Sequence, residues 1–279
     1  MNGQIYHIPV LLREVLEALN VKPGNKYIDC TYGGGGHSKV IKEAGGIVLG
    51  IDQDLEAHAQ VHENFAHLKK IAEKAGFEKV AGILFDLGVS SHQLETDYRG
   101  FSFNSPRGEA GKAAPLDMRM DQTNQTVTAL DLIKAGSEKE LAKIFKEFGE
   151  ENFAGPIARE IKKSKIETTD DLAKAILRVR HTKDRTHPAT RVFQALRIAV
   201  NDEIASLEVA LPQAVDLLES GGRLAVISFH SLEDRIVKNF MKDNKNLKVI
   251  TDKPIMASEK EVLENPRSRS GKLRIAWKN

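Results

Sequence analysis

Residues 27–52 leave few folds open to this chain. Tyr27-Ile28-Asp29-Cys30-Thr31 is a run of strand formers that enters four consecutive glycines, Gly33, Gly34, Gly35 and Gly36. His37 and Ser38 follow, then a helical segment with Val40, Ile41 and Ala44 on one face, stopped by Gly45 and Gly46. Ile47-Val48-Leu49-Gly50-Ile51 is a second apolar strand with Asp52 at its carboxyl end. Strand, glycine turn, helix and strand make a nucleotide-type βαβ unit. The glycines let backbone approach a ligand, and an acid about 20 residues on takes ribose hydroxyls.

A four-glycine turn is also compatible with a plain flexible loop, so the ligand has to be argued. A dinucleotide fingerprint wants a third glycine where the helix packs on the strand, and at that offset from Gly33 and Gly35 this chain has Ser38. S-adenosylmethionine has no pyrophosphate; it presents an amino acid and an adenosine, and Asp29 inside the first strand is placed to help hold the amino-acid end. The residues lean to S-adenosylmethionine, with a nicotinamide dinucleotide as the alternative.

The rest of the chain reads as one α/β domain with an insertion. Leu12, Val15, Leu16 and Leu19 sit at helical spacing before Pro23-Gly24. Only residues 53–58 separate Asp52 from the next expected strand near 59–65, too few for a crossover helix, so that helix must be absent or reduced to a turn. A helix over 69–74 precedes a buried strand over 80–85, which ends in Asp86-Leu87-Gly88-Val89-Ser90-Ser91. In open α/β sheets ligands bind beyond the carboxyl ends of the strands, so Asp86 is expected at the crevice of the glycine turn, or else as a structural cap.

From 92 to 128 periodicity vanishes, which suggests a lid, a binding loop or a disordered segment. Helices resume with a capping box at Ser137 and Glu140, and two more amphipathic helices are expected over 152–163 and 169–180. Residues 189–218 step by three and four throughout, with Pro212 expected to kink or split the element. A strand over 224–228 leads into Phe229-His230-Ser231-Leu232-Glu233-Asp234, and 247–251 with 273–277 should close the sheet as an antiparallel pair. His230 at that strand end either binds substrate or is satisfied by local backbone.

With 279 residues, 41% hydrophobic and 29% charged, the chain can bury a sizeable core. Its one cysteine, Cys30, lies in an apolar strand and excludes a disulfide framework or a cysteine metal cage; no metal is expected. No apolar run approaches 18 residues and no signal peptide is evident, so a soluble cytoplasmic protein without a membrane partner is expected. A net charge of +2 means that nucleic-acid binding would need a local basic face. Lys162, Lys163, Lys165, Arg178, Arg180, Lys183 and Arg185 supply one candidate face, joined by Arg191, Arg267 and Arg269. Such a run is as often a solvated helix surface.

Several stretches together resemble one family closely, the RsmH (MraW) S-adenosylmethionine-dependent methyltransferases: residues 7–12, 32–38, 86–93, 99–103, 115–121, 187–197, 221–238 and 265–274. Ser228-Phe229-His230-Ser231-Leu232-Glu233-Asp234-Arg235 is far more specific than a glycine turn. The resemblance implies a class I (Rossmann-like) methyltransferase fold over 1–103 and 187–279, interrupted over 104–186 by an all-helical substrate-recognition insertion with a lid loop. It implies methyl transfer from S-adenosyl-L-methionine to N4 of a cytidine in small-subunit (16S) ribosomal RNA, naked or in the assembled subunit; a homodimer is compatible with it. Gly33 in the glycine turn is a further cofactor contact, and the resemblance carries such contacts onto Gly35, Gly36, His37, Asp52, Asp86 and Gln93, with Phe65 bordering adenine. Two departures stand out: the link from Asp52 to Phe65 is shorter than the family pattern, and 104–114 is longer.

Such a reaction needs an acceptor for the N4 hydrogens and a base for one proton. Asp86, Ser90 and His230 are the candidates. A cysteine-based attack at C5 is disfavoured by the position of Cys30, and no Pro-Pro motif of the DNA amino-methyltransferase type occurs. The alternatives from other classes are a nicotinamide-dependent oxidoreductase and an RNA-binding module with a vestigial cofactor site.

Overall fold

The structure is a computed structural model that describes residues 9–103, 114–181 and 187–279. Lys183, Arg185, the start of the 7–12 stretch and nearly all of the long link 104–114 lie outside the described residues. In chain order the elements are α1 (Leu12–Leu19), β1 (Lys26–Asp29), α2 (Gly36–Glu43), β2 (Ile47–Asp52), β3 (Val61–His62), α3 (Leu68–Ala75), β4 (Val80–Asp86) and α4 (Ser91–Glu95). Next come α5 (Ala129–Ala135), α6 (Glu138–Gly149), α7 (Ala154–Lys163), α8 (Thr169–Val179), α9 (Thr190–Asn201) and α10 (Glu203–Leu217). The chain ends with β5 (Leu218–Ser228), α11 (Ser231–Asp243), β6 (Leu247–Val249), β7 (Ile255–Met256), α12 (Glu259–Glu264) and β8 (Lys272–Lys278).

Two compact units result, one from 1–90 with 204–279 and one from 91–203. The first carries an eight-stranded sheet in the order β3-β2-β1-β4-β5-β8-β6, with β7 pairing β8. β1, β2, β3, β4 and β5 run parallel, while β8 is antiparallel to β5, β6 and β7. The chain winds outward through β2 and β3, then returns to the other side of β1 for β4 and β5. That reversal leaves a crevice at the carboxyl ends of β1 and β4, where open α/β sheets bind ligands. Ile28, Ile83, Phe85, Leu224 and Val226 pack with Leu207, Leu211 and Val215 of α10 in one core. Tyr27, Leu84, Ala225 and Ile227 pack with Val15 and Leu19 of α1 in another. The α/β class is the expected one, and the link from β2 to β3 is made of turns with no helix in it.

The second unit is helical, with one isolated bridge between Pro115 and Thr168. Residues 91–103 and 187–203, which the sequence reading placed with the sheet, fall in this unit. The reason is local: α9 crosses α6 so closely that a Cβ on Gly149 would meet the Arg191 carbonyl and Ala195. The long apolar element splits at Asp202, held at φ 51, and Pro212 sits inside α10, so the split expected as one outcome at Pro212 does not occur there. The stretch without periodicity is partly built in. Arg99 is buried and donates to the carbonyls of Arg119 and Met120, and the Asn201 amide grips Met118 and Met120 through 2.7 Å bonds. Polar clamps order this stretch, and they leave no periodic signature.

Candidate active site

Three parallel strands end in carboxylates at one edge of the sheet. Asp29 closes β1, in register with Gly50 and Leu84; Asp52 and Asp86 close β2 and β4 two residues further on. Gly33 and Gly35 have φ of +50° and +73°, a backbone that glycine alone adopts cheaply. Their turn is tied to Asp52: the Gly33 N–H donates to Oδ2 at 2.7 Å, and the Asp54 N–H donates to Oδ1 at 2.9 Å. Ser38, at the position where a dinucleotide site would have glycine, donates its hydroxyl to Asp29 Oδ2 at 2.7 Å, while the Thr31 N–H donates to Oδ1. Asp29 is therefore a buried support of the turn. The Asp86 N–H in turn donates to Thr31 Oγ1 at 2.6 Å, which links the ends of β1 and β4.

His37, at the start of α2, is buried. Its Nε2 lies 3.0 Å from the Val10 carbonyl, so that nitrogen carries the hydrogen, and its Nδ1 faces Asp86 Oδ2 at 3.6 Å. Burial pushes Asp29 and Asp52 up to about 6 and His37 down to about 4. Burial, Asp29 and Glu233 hold Asp86 well above the usual carboxylate range. The edge thus gathers three carboxylates that resist ionisation, with Lys42 only a minor offset at Asp29. Such a crevice favours a cation and disfavours a pyrophosphate. Cys30 is buried, and burial with the Asp29 charge raises its thiol, leaving an inert core residue.

Phe65 follows β3 and meets Phe85 edge-to-face at 5.5 Å, partly buried against the sheet core. Ser90 closes the first unit's N-terminal segment, beyond Gly88. His230 is the N-cap of α11: its Nδ1 accepts from the Glu233 N–H at 3.3 Å, and its Nε2 lies 3.1 Å from Glu233 Oε1. Nδ1 is thus engaged locally, while Nε2 is buried and makes no hydrogen bond despite its proximity to Glu233, so the local backbone satisfies the imidazole only in part. Glu233 also accepts the N–H groups of Phe229 and His230. The first unit thus brings together Gly33, Gly35, Gly36, His37, Asp52 and Asp86. Gln93 is buried in α4 and belongs to the second unit.

Ser38, Thr31 and Glu233 are working parts of the site beyond those expected from the sequence. Glu233 was findable, because it stands three residues after His230 at capping-box spacing. Thr31 had no such signal, since its partner Asp86 is 55 residues away.

Of the eight basic candidates among the described residues, five are engaged within the helical unit. Lys162 donates to the carbonyls of Ile133 and Lys134 at the end of α5. Arg178 binds Glu160 and Ser164, Arg180 pairs with the buried Glu151, and Arg191 donates to the Glu150 carbonyl. Lys165 faces Glu167 at 3.1 Å. Lys163, Arg267 and Arg269 are exposed. Several members of the run thus brace helix ends as well as carrying charge.

No helix among the described residues is long and apolar enough to cross a membrane, and these residues contain no metal-holding cluster. Three curated relatives carry the name ribosomal RNA small subunit methyltransferase H. The Carboxydothermus hydrogenoformans protein is 45% identical over 98% of this chain and 97% of its own length. The Nostoc punctiforme protein is 48% identical over 98% and 94%, and that of a Cyanothece species 47% over 99% and 96%. The family model described as the MraW methylase family matches residues 4–279. A match of that extent, over a sheet whose edge carries this crevice, identifies the chain as a member of the MraW methylase family.

Proposed function

We infer that this protein transfers a methyl group from S-adenosylmethionine to N4 of a cytidine in small-subunit ribosomal RNA, in the cytoplasm. The observation that carries the reading is the cluster of Asp29, Asp52 and Asp86 around the glycine turn, in a chain whose relatives are named for the small ribosomal subunit. The cytosine N4 acceptor follows from the family likeness set out above.

When bound, S-adenosylmethionine supplies an electrophilic methyl group on a cationic sulfur, and its α-amino group is a second cation. The carboxylates at the strand ends complement both charges. Asp52, already fixed by Gly33 and Asp54, offers its remaining lone pairs to ribose hydroxyls. Gly35, Gly36 and His37 shape the turn, and Phe65 borders the adenine. A dinucleotide is disfavoured because Ser38 and Asp29 occupy the place where its pyrophosphate turn would pack.

The exocyclic amine of cytosine is a weak nucleophile, because its lone pair is delocalised into the ring. An acceptor for its hydrogens localises that pair, and a base then removes one proton. Asp86 is the first choice for that acceptor: burial and its acidic neighbours raise its affinity for a proton, and it sits at the strand end beside His37. Ser90 and His230 are the further candidates.

The test is mass spectrometry of digested small-subunit RNA after treatment with the protein and labelled donor. Label on cytosine N4 is expected; label on C5 or on another base would sink this chemistry. His230→Asn separates roles within the site, because asparagine is a good N-cap. If the imidazole orients the base, this variant loses turnover while cofactor affinity holds; wild-type turnover would confine His230 to capping.

A further inference from the structure

Lys139, Lys143 and Lys146 step along α6 at the spacing that places side chains on one helix face. All three are exposed, and among the described residues none has a hydrogen bond or ion pair. This separates them from Lys162, Arg178 and Arg180, whose cations are held inside the unit. The three lysines line a groove of about 1160 Å³ between α6 and the start of α7. Three carboxylates also line it: Glu140, kept ionised by its bonds from Ser137 in the capping box, Glu150, and Glu151, whose charge is met by Arg180. With Glu151 paired to Arg180, the three lysines outnumber Glu140 and Glu150 in the groove.

An exposed aromatic residue stands in the segment that borders the groove. Phe153 is the N-cap of α7, between the groove residues Asn152 and Ala154, and is 48% exposed. The Arg180 guanidinium lies 6.0 Å from the ring centroid. A half-exposed phenylalanine in the segment that borders the groove leaves apolar surface in water. Together with the lysine row it suits a single strand of nucleic acid, where bases stack on aromatic rings and cations track the backbone. The lysine row spans about 10 Å at 1.5 Å per residue, the length of roughly three stacked nucleotides at about 3.4 Å each.

We propose that this face of α6 and α7 is a docking track for single-stranded RNA, with Lys139, Lys143 and Lys146 on phosphates and Phe153 under a base. The proposal rests on the RNA methyltransferase reading and names a surface of the helical unit through which its substrate is held.

The experiment is fluorescence anisotropy of the full chain with a labelled single-stranded RNA oligonucleotide across a salt series. Removing three single-strand phosphate contacts in K139Q/K143Q/K146Q should flatten the log–log salt slope by about 2. F153A should weaken binding by roughly 5- to 150-fold with the slope unchanged, and F153W should restore it. Each variant is expected to bind S-adenosylmethionine like the wild type, which reports an intact fold. A wild-type slope in the triple variant, wild-type affinity in F153A, or equal competition by a glutamate-rich peptide overturns the proposal. Methylation by the wild-type protein is scored separately. A protein that methylates N4 but binds RNA unchanged in these variants loses only this surface; one that does not methylate loses the reading beneath it.

Discussion

Asp29 and Asp52 each resist ionisation in the fold by an amount that burial sets. Raising a carboxyl from 3.8 to about 6 corresponds to roughly 3 kcal/mol at about 1.4 kcal/mol per unit. The folded state holds these protons more tightly than the unfolded chain does. Each group therefore removes stability as pH rises from about 4 to about 6. His37 acts in the opposite sense. Lowered from 6.5 to about 4, it contributes stability that is present above 6.5 and is lost as pH falls towards about 4. Because the two effects offset, cofactor-free stability is a blunt probe. Proton release on cofactor binding is a sharper one, since a bound sulfonium favours the ionised carboxylates. Near pH 6 the two groups are about half protonated, so S-adenosylmethionine should displace up to about one proton from them. Release should decline towards pH 8, and S-adenosylhomocysteine, neutral at sulfur, should displace fewer. Calorimetry in buffers of different ionisation enthalpy reads this number. Equal counts for the two ligands would mean that the strand-end carboxylates do not sense the sulfonium.

The elements differ in how openly the sequence announces them. Ser137 and Glu140 stand at the spacing of a reciprocal cap, and the structure has that box. Ser137→Ala should cost about 1 kcal/mol in denaturant unfolding, and Ser137→Asp much less; equal stability of the two would show the cap to be idle. The Thr128 and Thr168 boxes use Asp at the third helical position; α8 is still announced by its apolar rhythm, whereas α5, only seven residues long, is too short to show one. The apolar rhythm of 189–218 runs straight across the break at Asp202, because both helices bury the same kind of face. A left-handed residue shows no trace in periodicity. Asp202→Gly should stabilise the protein slightly, and Asp202→Val should cost about 1–2 kcal/mol for the strained backbone. At the site, Asp52 and Asp86 were legible as carboxylates at strand ends. The bonds that fix them were not: Thr31 reaches Asp86 only because β1 and β4 are neighbours in the sheet. The bonds of Lys162 and Arg180 were hidden for the same reason, since a cation held by a group about 30 residues away looks in sequence like one facing solvent.

The whole molecule has to hold two ligands of opposite charge on a net charge of only +2. A uniform field cannot serve both, so each must meet its own local patch. The cationic cofactor meets buried carboxylates, where salt screens weakly. The polyanionic RNA meets exposed lysines, where counterion release makes affinity steeply salt-dependent. The two substrates should therefore part company as salt rises. Three single-strand phosphate contacts at a slope of about 0.7 each predict roughly a 20-fold loss of RNA affinity between about 50 and 200 mM salt. Cofactor affinity over the same range should change by less than about threefold, because one compact cation binds at a buried site. Steady-state methylation measured with each substrate varied in turn would show the KM for RNA climbing while that for S-adenosylmethionine stays nearly level. A common salt dependence for both would mean that the charges are not divided between two separate patches. In that case neither the acidic strand ends nor the lysine face of α6 could be doing the work assigned to it.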